Sequence, residues 1–206
     1  MKNILTIAAK ELKTYFVSPI AYMLLAIFAL IFGYFFWAAT SIFVLRSSES
    51  AMMGRSFPMD VNEWIVRPLM MNVSVIGLFF LPMITMRLFA EEKRSGTIEL
   101  LLTSPVRDYQ IVLGKFLAAL GLYAIILLVS GLSLLFLFLH GEPEWQPILV
   151  AYLGLLLQGG CILAIGTFIS TSTRNQIVAG GVTFGVCLML WVLDWVSSYN
   201  TDAWAK

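Results

Sequence analysis

The feature that most constrains this chain is a series of five long apolar runs, roughly residues 19–45, 65–90, 109–139, 148–170 and 177–196. Each is long enough to cross a hydrocarbon core of about 30 Å at about 1.5 Å of rise per residue. A soluble domain with very apolar core helices needs runs of only about 10–14 residues. Charged residues fill 12% of the 206 positions, about half the share of an ordinary soluble domain. Mean hydropathy is +0.89. Together these predict an all-α polytopic membrane protein in the lipid bilayer, a single transmembrane domain over residues 1–206 with no internal repeat.

The distribution of Lys and Arg predicts the orientation. With the N-terminus cytoplasmic, Lys2, Lys10, Lys13, Arg87, Lys93, Arg94, Arg107, Lys115 and Arg174 fall inside, and Arg46, Arg55, Arg67 and Lys206 fall outside. Glu49, Asp60, Glu63, Glu142, Glu144, Asp194 and Asp202 lean to the outer side, and Trp64 and Trp145 sit at outer span ends as interfacial aromatics should. Five spans with the N-terminus inside place SSYNTDAWAK as an outer loop.

The first residues differ in character. MKNILTIAAKELKTYF lacks the apolar core and cleavage site of a signal peptide. Ile4, Leu5, Ile7, Ala8, Leu12, Tyr15 and Phe16 instead recur at helical spacing opposite Lys2, Asn3, Lys10 and Lys13. Residues 1–17 thus read as an amphipathic helix in the cytoplasmic interface, or else as an extension of the first span. Ser18-Pro19 breaks it and restarts the chain at 19.

The densest charge lies at 91–108, between the second and third spans: EEKRSGTIELLLTSPVRD. Gly96 terminates a helix, 98–103 is a short leucine-rich helix, and Ser104-Pro105 starts a new helix without a breaker until Gly141. Two readings of these residues stand. One is a positive-inside loop with a single exposed amphipathic turn. The other is a docking surface, because Glu91, Glu92, Glu99 and Asp108 beside IELLL lie outside the positive-inside rule.

RLFAEEKRSGTIELLLTSPVRDYQIVLGKFLA, 87–118, closely resembles the corresponding segment in permease subunits of type-2 ABC exporters. The nearest branch is the one that holds gliding-motility and nitrous-oxide-reductase-maturation permeases. The family pattern is matched by Glu92, Lys93, Gly96, Thr97, Ile98, Glu99, Leu101, Ser104, Pro105 and Val106. The resemblance extends over the whole chain through the interfacial helix, the span order and the small fourth loop. It implies a cytoplasmic coupling helix docked in a separate ATP-binding cassette ATPase subunit. The docking residues would be Glu92, Lys93, Arg94, Gly96, Thr97, Glu99, Leu101, Pro105 and Arg107, with Gly96 as the bend, Leu101 as the apolar anchor and the charges setting register. It further implies a second permease protomer, a bacterial inner membrane, and ATP and Mg²⁺ used by the partner subunit. Such permeases have six spans, with short re-entrant helices before the last. Here five are visible, so the sixth is missing from this sequence or the architecture differs.

No G-x-x-x-x-G-K-[ST] loop occurs; Gly114-Lys115 is a bare dipeptide inside a helix. The chain is therefore read as a non-enzyme that binds no cofactor itself. Cys161 and Cys187 lie in apolar runs as small hydrophobes, and His140, the only histidine, reads as a helix-end group. A net charge of +1 gives no field for nucleic acid. Ser130–Ser133 and the glycines at 154, 159, 160, 166, 180, 181 and 185 read as small-residue helix packing. Polar residues within spans are candidates for a substrate path: Asn72, Ser74, Gln158 and Thr167. Thr40, Ser41, Thr85, Ser130, Ser133, Ser170 and Thr183 form a wider set in which bonding back to the own helix competes. No charge sits mid-span, which disfavours a proton-coupled secondary transporter. A permease-like anchor that moves an outer partner through loop 46–63 remains an alternative to an exporter.

Overall fold

A computed structural model describes residues 2–52, 60–97, 106–141 and 143–204. The described residues are helical, with no strand among them. Helix α1 (Lys2–Val17) is followed by α2 (Pro19–Met52). A π-turn (Asn62–Val66) leads into α3 (Arg67–Thr85), and then come short α4 (Ala90–Ser95), α5 (Asp108–His140), α6 (Trp145–Ser172) and α7 (Gln176–Trp204). Among the described residues five segments are long and apolar enough to cross a membrane, counting Asn62–Ser95 as one. Their outward faces carry Leu30, Leu128, Val150, Phe168 and Ile177, each at least 70% exposed, a surface suited to lipid rather than water.

Local chemistry explains the breaks. Ser18 caps α2, its Oγ accepting the Ile20 N–H at 3.5 Å, with Pro19 in the first turn where its missing N–H costs nothing. In α3, Pro82 cannot donate to the preceding turn. The helix ends at Thr85, and residues 86–89 form turns before α4. The second apolar run is thus interrupted before its expected end at 90. Other ends lie further out than hydropathy placed them. The segment 46–52, expected as loop, continues α2, with Ser48 and Ser50 bonding back to the carbonyls of Leu45 and Arg46. The stretch 197–204, expected as outer loop, continues α7. The long third span begins at Asp108 rather than 105: Val106 and Arg107 are not helical, and the Arg107 carbonyl accepts from Gln110 N at 2.8 Å. Ser104, Pro105 and the leucine-rich 98–103 lie outside the described residues, as do the side chains of His140 and Asp194.

The chain divides into two compact units. One comprises Met1–Ala8, Leu78–Ala119 and Gly160–Lys206; the other comprises Ala9–Gly77 and Leu120–Gly159. The first buries Leu81, Ile84, Thr85, Leu163, Ser170 and Thr183. The second buries Phe28, Phe32, Leu69, Val73, Leu122 and Ile126. In α2 the buried positions 21, 24, 28 and 32 make one stripe at helical spacing, leaving most of the helix outside the core.

Close helix approach relies on missing side chains. A Cβ on Gly166 would overlap the side chain of Thr85, and one on Gly159 would overlap the Tyr123 ring. Small residues allow such contacts in membranes, where dispersion packing replaces a hydrophobic drive between helices. Not every glycine acts this way: Gly154, Gly181 and Gly185 have nothing within 4 Å of such a Cβ, contrary to their reading as packing residues. Gly166→Ala should therefore lower stability in detergent by about 1–3 kcal/mol through overpacking. Gly181→Ala should hold or raise it, since Ala is the better helix former. Thermal unfolding of the two variants compares them directly.

Candidate functional site

A helix of six residues cannot hold itself, because nucleation outweighs so few backbone bonds. Helix α4 is favoured locally by Glu91 and Glu92 in its first turn and Lys93 and Arg94 in its last, matching the helix dipole. It stops at Gly96, whose φ of 74° is the only positive value among the described residues. Side chains at that φ are strained, so glycine fits the position.

Neighbouring helices do the rest. The Phe89 and Ala90 N–H groups both donate to Ser170 Oγ of α6, each at 3.2 Å. A cap for α4 therefore comes from a different helix. One turn on, Lys93 Nζ donates to the Thr171 carbonyl. On the other side, Glu92 Oε1 accepts from Lys115 Nζ of α5 at 2.7 Å. Lys115 is only 2% exposed and Glu92 24%. The Lys115 ammonium also lies 5.3 Å from the centroid of the Phe89 ring. Glu92 Oε2 is buried and has no hydrogen-bond partner among the described residues.

The start of helix α1, up to Ala8, belongs to the same unit. A Cβ on Gly114 would stand 2.7 Å from Ile7 Cγ2, so α1 and α5 meet backbone to side chain, and Asn3 Nδ2 donates to Gln110 Oε1 at 3.4 Å. Ile4, Ile7 and Ala8 are half-buried, but Leu5, assigned to the apolar face by spacing, is 65% exposed.

The docking residues predicted from sequence thus separate into two groups. Glu92 and Lys93 are half-buried and bonded to α5 and α6. Arg94, Gly96, Thr97 and Arg107 are exposed. Glu99, Leu101 and Pro105 lie outside the described residues. Sequence reading missed Lys115, Ser170 and Thr171 as parts of this arrangement. The one available signal was a lysine in an otherwise apolar helical stretch, 111–120, where a buried charge needs a partner.

The substrate-path residues also divide. Ser74 Oγ donates to Gln158 Oε1 at 2.8 Å, joining α3 to α6. Both line a groove of about 540 Å³ that also includes Asn62, Arg67, Met70 and Glu144. Asn72 is half-buried and does not line it. Thr167 belongs to the other unit and donates to its own helix at Leu163 O, 2.6 Å. Thr40, Thr85, Ser130 and Thr183 bond back in the same way. Ser130 additionally meets the Tyr152 hydroxyl at 2.8 Å.

Residues 5–200 match the family described as ABC-2 family transporter protein. No curated protein matches the chain.

The burial asymmetry of the ion pair has a measurable consequence. Glu92→Gln leaves the buried Lys115 ammonium without its carboxylate and should cost on the order of 3 kcal/mol. Lys115→Met removes the more deeply buried charge and leaves Glu92, the less buried partner at 24% exposed, so it should cost less. The double variant should recover part of the loss, read as a coupling energy of about 1–3 kcal/mol in a double-mutant unfolding cycle.

Proposed function

The chain belongs to the ABC-2 transporter family, and from that premise we propose that it couples a separate ATP-binding cassette ATPase to work across the membrane. Membrane components of this family are not themselves catalytic. The chain is a multi-pass membrane protein, with five segments able to span among the described residues. The reading places its N-terminus in the cytoplasm, pairs it with a second permease protomer, and assigns ATP and Mg²⁺ to the ATPase. The gliding-motility and nitrous-oxide-reductase-maturation branch is the subgroup we favour, on the 92–106 pattern.

The observation that carries the mechanical part is the anchoring of α4 to α5 and α6 through Glu92–Lys115, Ser170 and Thr171. A loop that only obeyed charge topology would have no need of a buried ion pair. We assign Arg94 and Arg107, both exposed, to contact with the ATPase. Glu92 and Lys93 act as positioning residues that hold α4 for that contact. Closure of the ATPase dimer pushes on 91–108. Because Lys115 ties α4 to the 33-residue α5, about 50 Å long, the displacement passes into a helix long enough to cross the bilayer.

The two groups predict different failures. Arg94→Glu with Arg107→Glu should weaken ATPase copurification about tenfold or more, as expected when charges at an interface are reversed. Lys115→Met should keep copurification and lose most permease-stimulated ATP hydrolysis in proteoliposomes. The reading fails if Glu99→Arg with Leu101→Asp leaves stimulated hydrolysis unchanged, or if Lys115→Met couples as well as the parent.

A further inference from the structure

The seam between the last turns of α3 and the first turns of α7 ends on a cation that the coupling mechanism does not use. Both stretches lie within the unit that also holds α4. The Phe79 and Phe184 rings stand 5.1 Å apart, and a Cβ on Gly180 would lie 3.3 Å from Met86 Sδ. Contacts of 79 with 184 and of 86 with 180 mean that the two helices run antiparallel. Phe79, Met83 and Met86 share one face of α3 at helical spacing, as Ile177, Gly180 and Phe184 do on α7. Phe79, Met83 and Ile177 are 54%, 48% and 82% exposed, so the seam offers the bilayer an apolar surface.

Arg87 follows directly, in the turn 86–89 where α3 has ended. The other described arginines, at 46, 67, 94, 107 and 174, are exposed, whereas Arg87 is half-buried between the buried residues Thr85, Leu88, Phe89 and Ala90. Arg46 lies over the Trp64 ring, but the Arg87 guanidinium has no ion-pair, hydrogen-bond or ring partner among the described residues. Arg174, three residues before Ile177, adds a second cation at this end of α7. A guanidinium stays charged and carries five donors in a planar fork. Half-buried beside an apolar span, such a group is costly unless an anion meets it. At about 1.5 Å per residue, about 12 Å of chain axis separates Arg87 from Phe79.

We propose that this seam binds an anionic phospholipid. The lipid phosphate takes the Arg87 fork, and an acyl chain lies along Met83, Phe79 and Ile177. A free phosphate has the charge but leaves the apolar wall beside the arginine uncovered. A phosphatidylcholine has the phosphate and the chains, but its own ammonium faces Arg87 and Arg174. A net-negative headgroup on two acyl chains supplies both parts. The site stands apart from ATP coupling, because binding is read on the chain without its ATPase.

Native mass spectrometry of the delipidated full chain in detergent, titrated with phosphatidylglycerol or phosphatidylcholine, tests it. Saturable binding of phosphatidylglycerol is expected, tighter than that of phosphatidylcholine and unmoved by millimolar inorganic phosphate. Arg87→Gln should weaken phosphatidylglycerol binding about fivefold to tenfold, the loss expected for one arginine at a lipid headgroup, and should erase the preference. Arg67→Gln, at the opposite end of α3, should leave both unchanged. Circular dichroism confirms that the variants keep their helices. If Arg87→Gln fails to fold, the parent chain still decides through its headgroup preference and the phosphate competition. The proposal is overturned by equal affinity for the two lipids, by unchanged affinity in folded Arg87→Gln, or by full displacement with inorganic phosphate, which would make a free anion the ligand.

Discussion

Within hydrocarbon a backbone N–H has no water to bond, so each turn of chain must satisfy itself or find a side-chain oxygen. Most of the rest of this structure follows from that rule. Long helices satisfy their own groups, and several breaks carry a capping oxygen. Ser18 Oγ serves Ile20, Asp60 Oδ1 serves Asn62, Thr173 Oγ1 serves Asn175, and Asn175 Oδ1 serves Ile177. All of those caps are local. The break at 86–89 differs: Met86 and Leu88 still bond back to Pro82 and Thr85, but the Phe89 and Ala90 N–H groups at its far end are met by Ser170 from a helix eighty residues away in sequence. That difference makes α4 a tertiary object rather than a local one. Its position is set by α5 and α6, so a force on it is felt by both.

The same economy sorts the polar residues of the spans. A hydroxyl in a helix can return to a carbonyl three or four residues back, and Thr40, Thr85, Thr167 and Thr183 do. An amide or an ammonium cannot be satisfied that cheaply. Gln158 reaches α3 at Ser74, and Lys115 reaches Glu92. Polar groups with long reach therefore mark the places where helices are tied together, and both candidate sites contain one.

Much of this was legible from residue order. Five runs of apolar side chains with charged and Pro/Gly-bearing gaps specify the helices, and Ser18-Pro19 and Gly96 mark their punctuation through backbone sterics alone. Hydropathy misplaced the ends where polar residues stay helical. Ser48 and Ser50 fold back onto the helix, so RSSESAM extends α2 although it looks like loop. Pro82 lies within the apolar run that hydropathy treats as continuous, yet α3 gives way to turns at 86–89.

What the sequence determined by itself is the membrane class, the number of spans visible here and the charged segment at 91–108, because these depend on composition and spacing within one stretch of chain. Pairing belongs to the tertiary structure alone. Lys115 read as one more positive-inside residue, and Ser170 as a hydroxyl able to close on its own helix. Only packing brings the first to Glu92 and the second to the start of α4. Likewise Ser74 and Gln158 were two separate polar candidates until α3 and α6 placed them 2.8 Å apart, both lining one groove. The physical reason is common to all three. A short-range bond between residues 23 to 84 positions apart leaves no periodic trace in either stretch of chain.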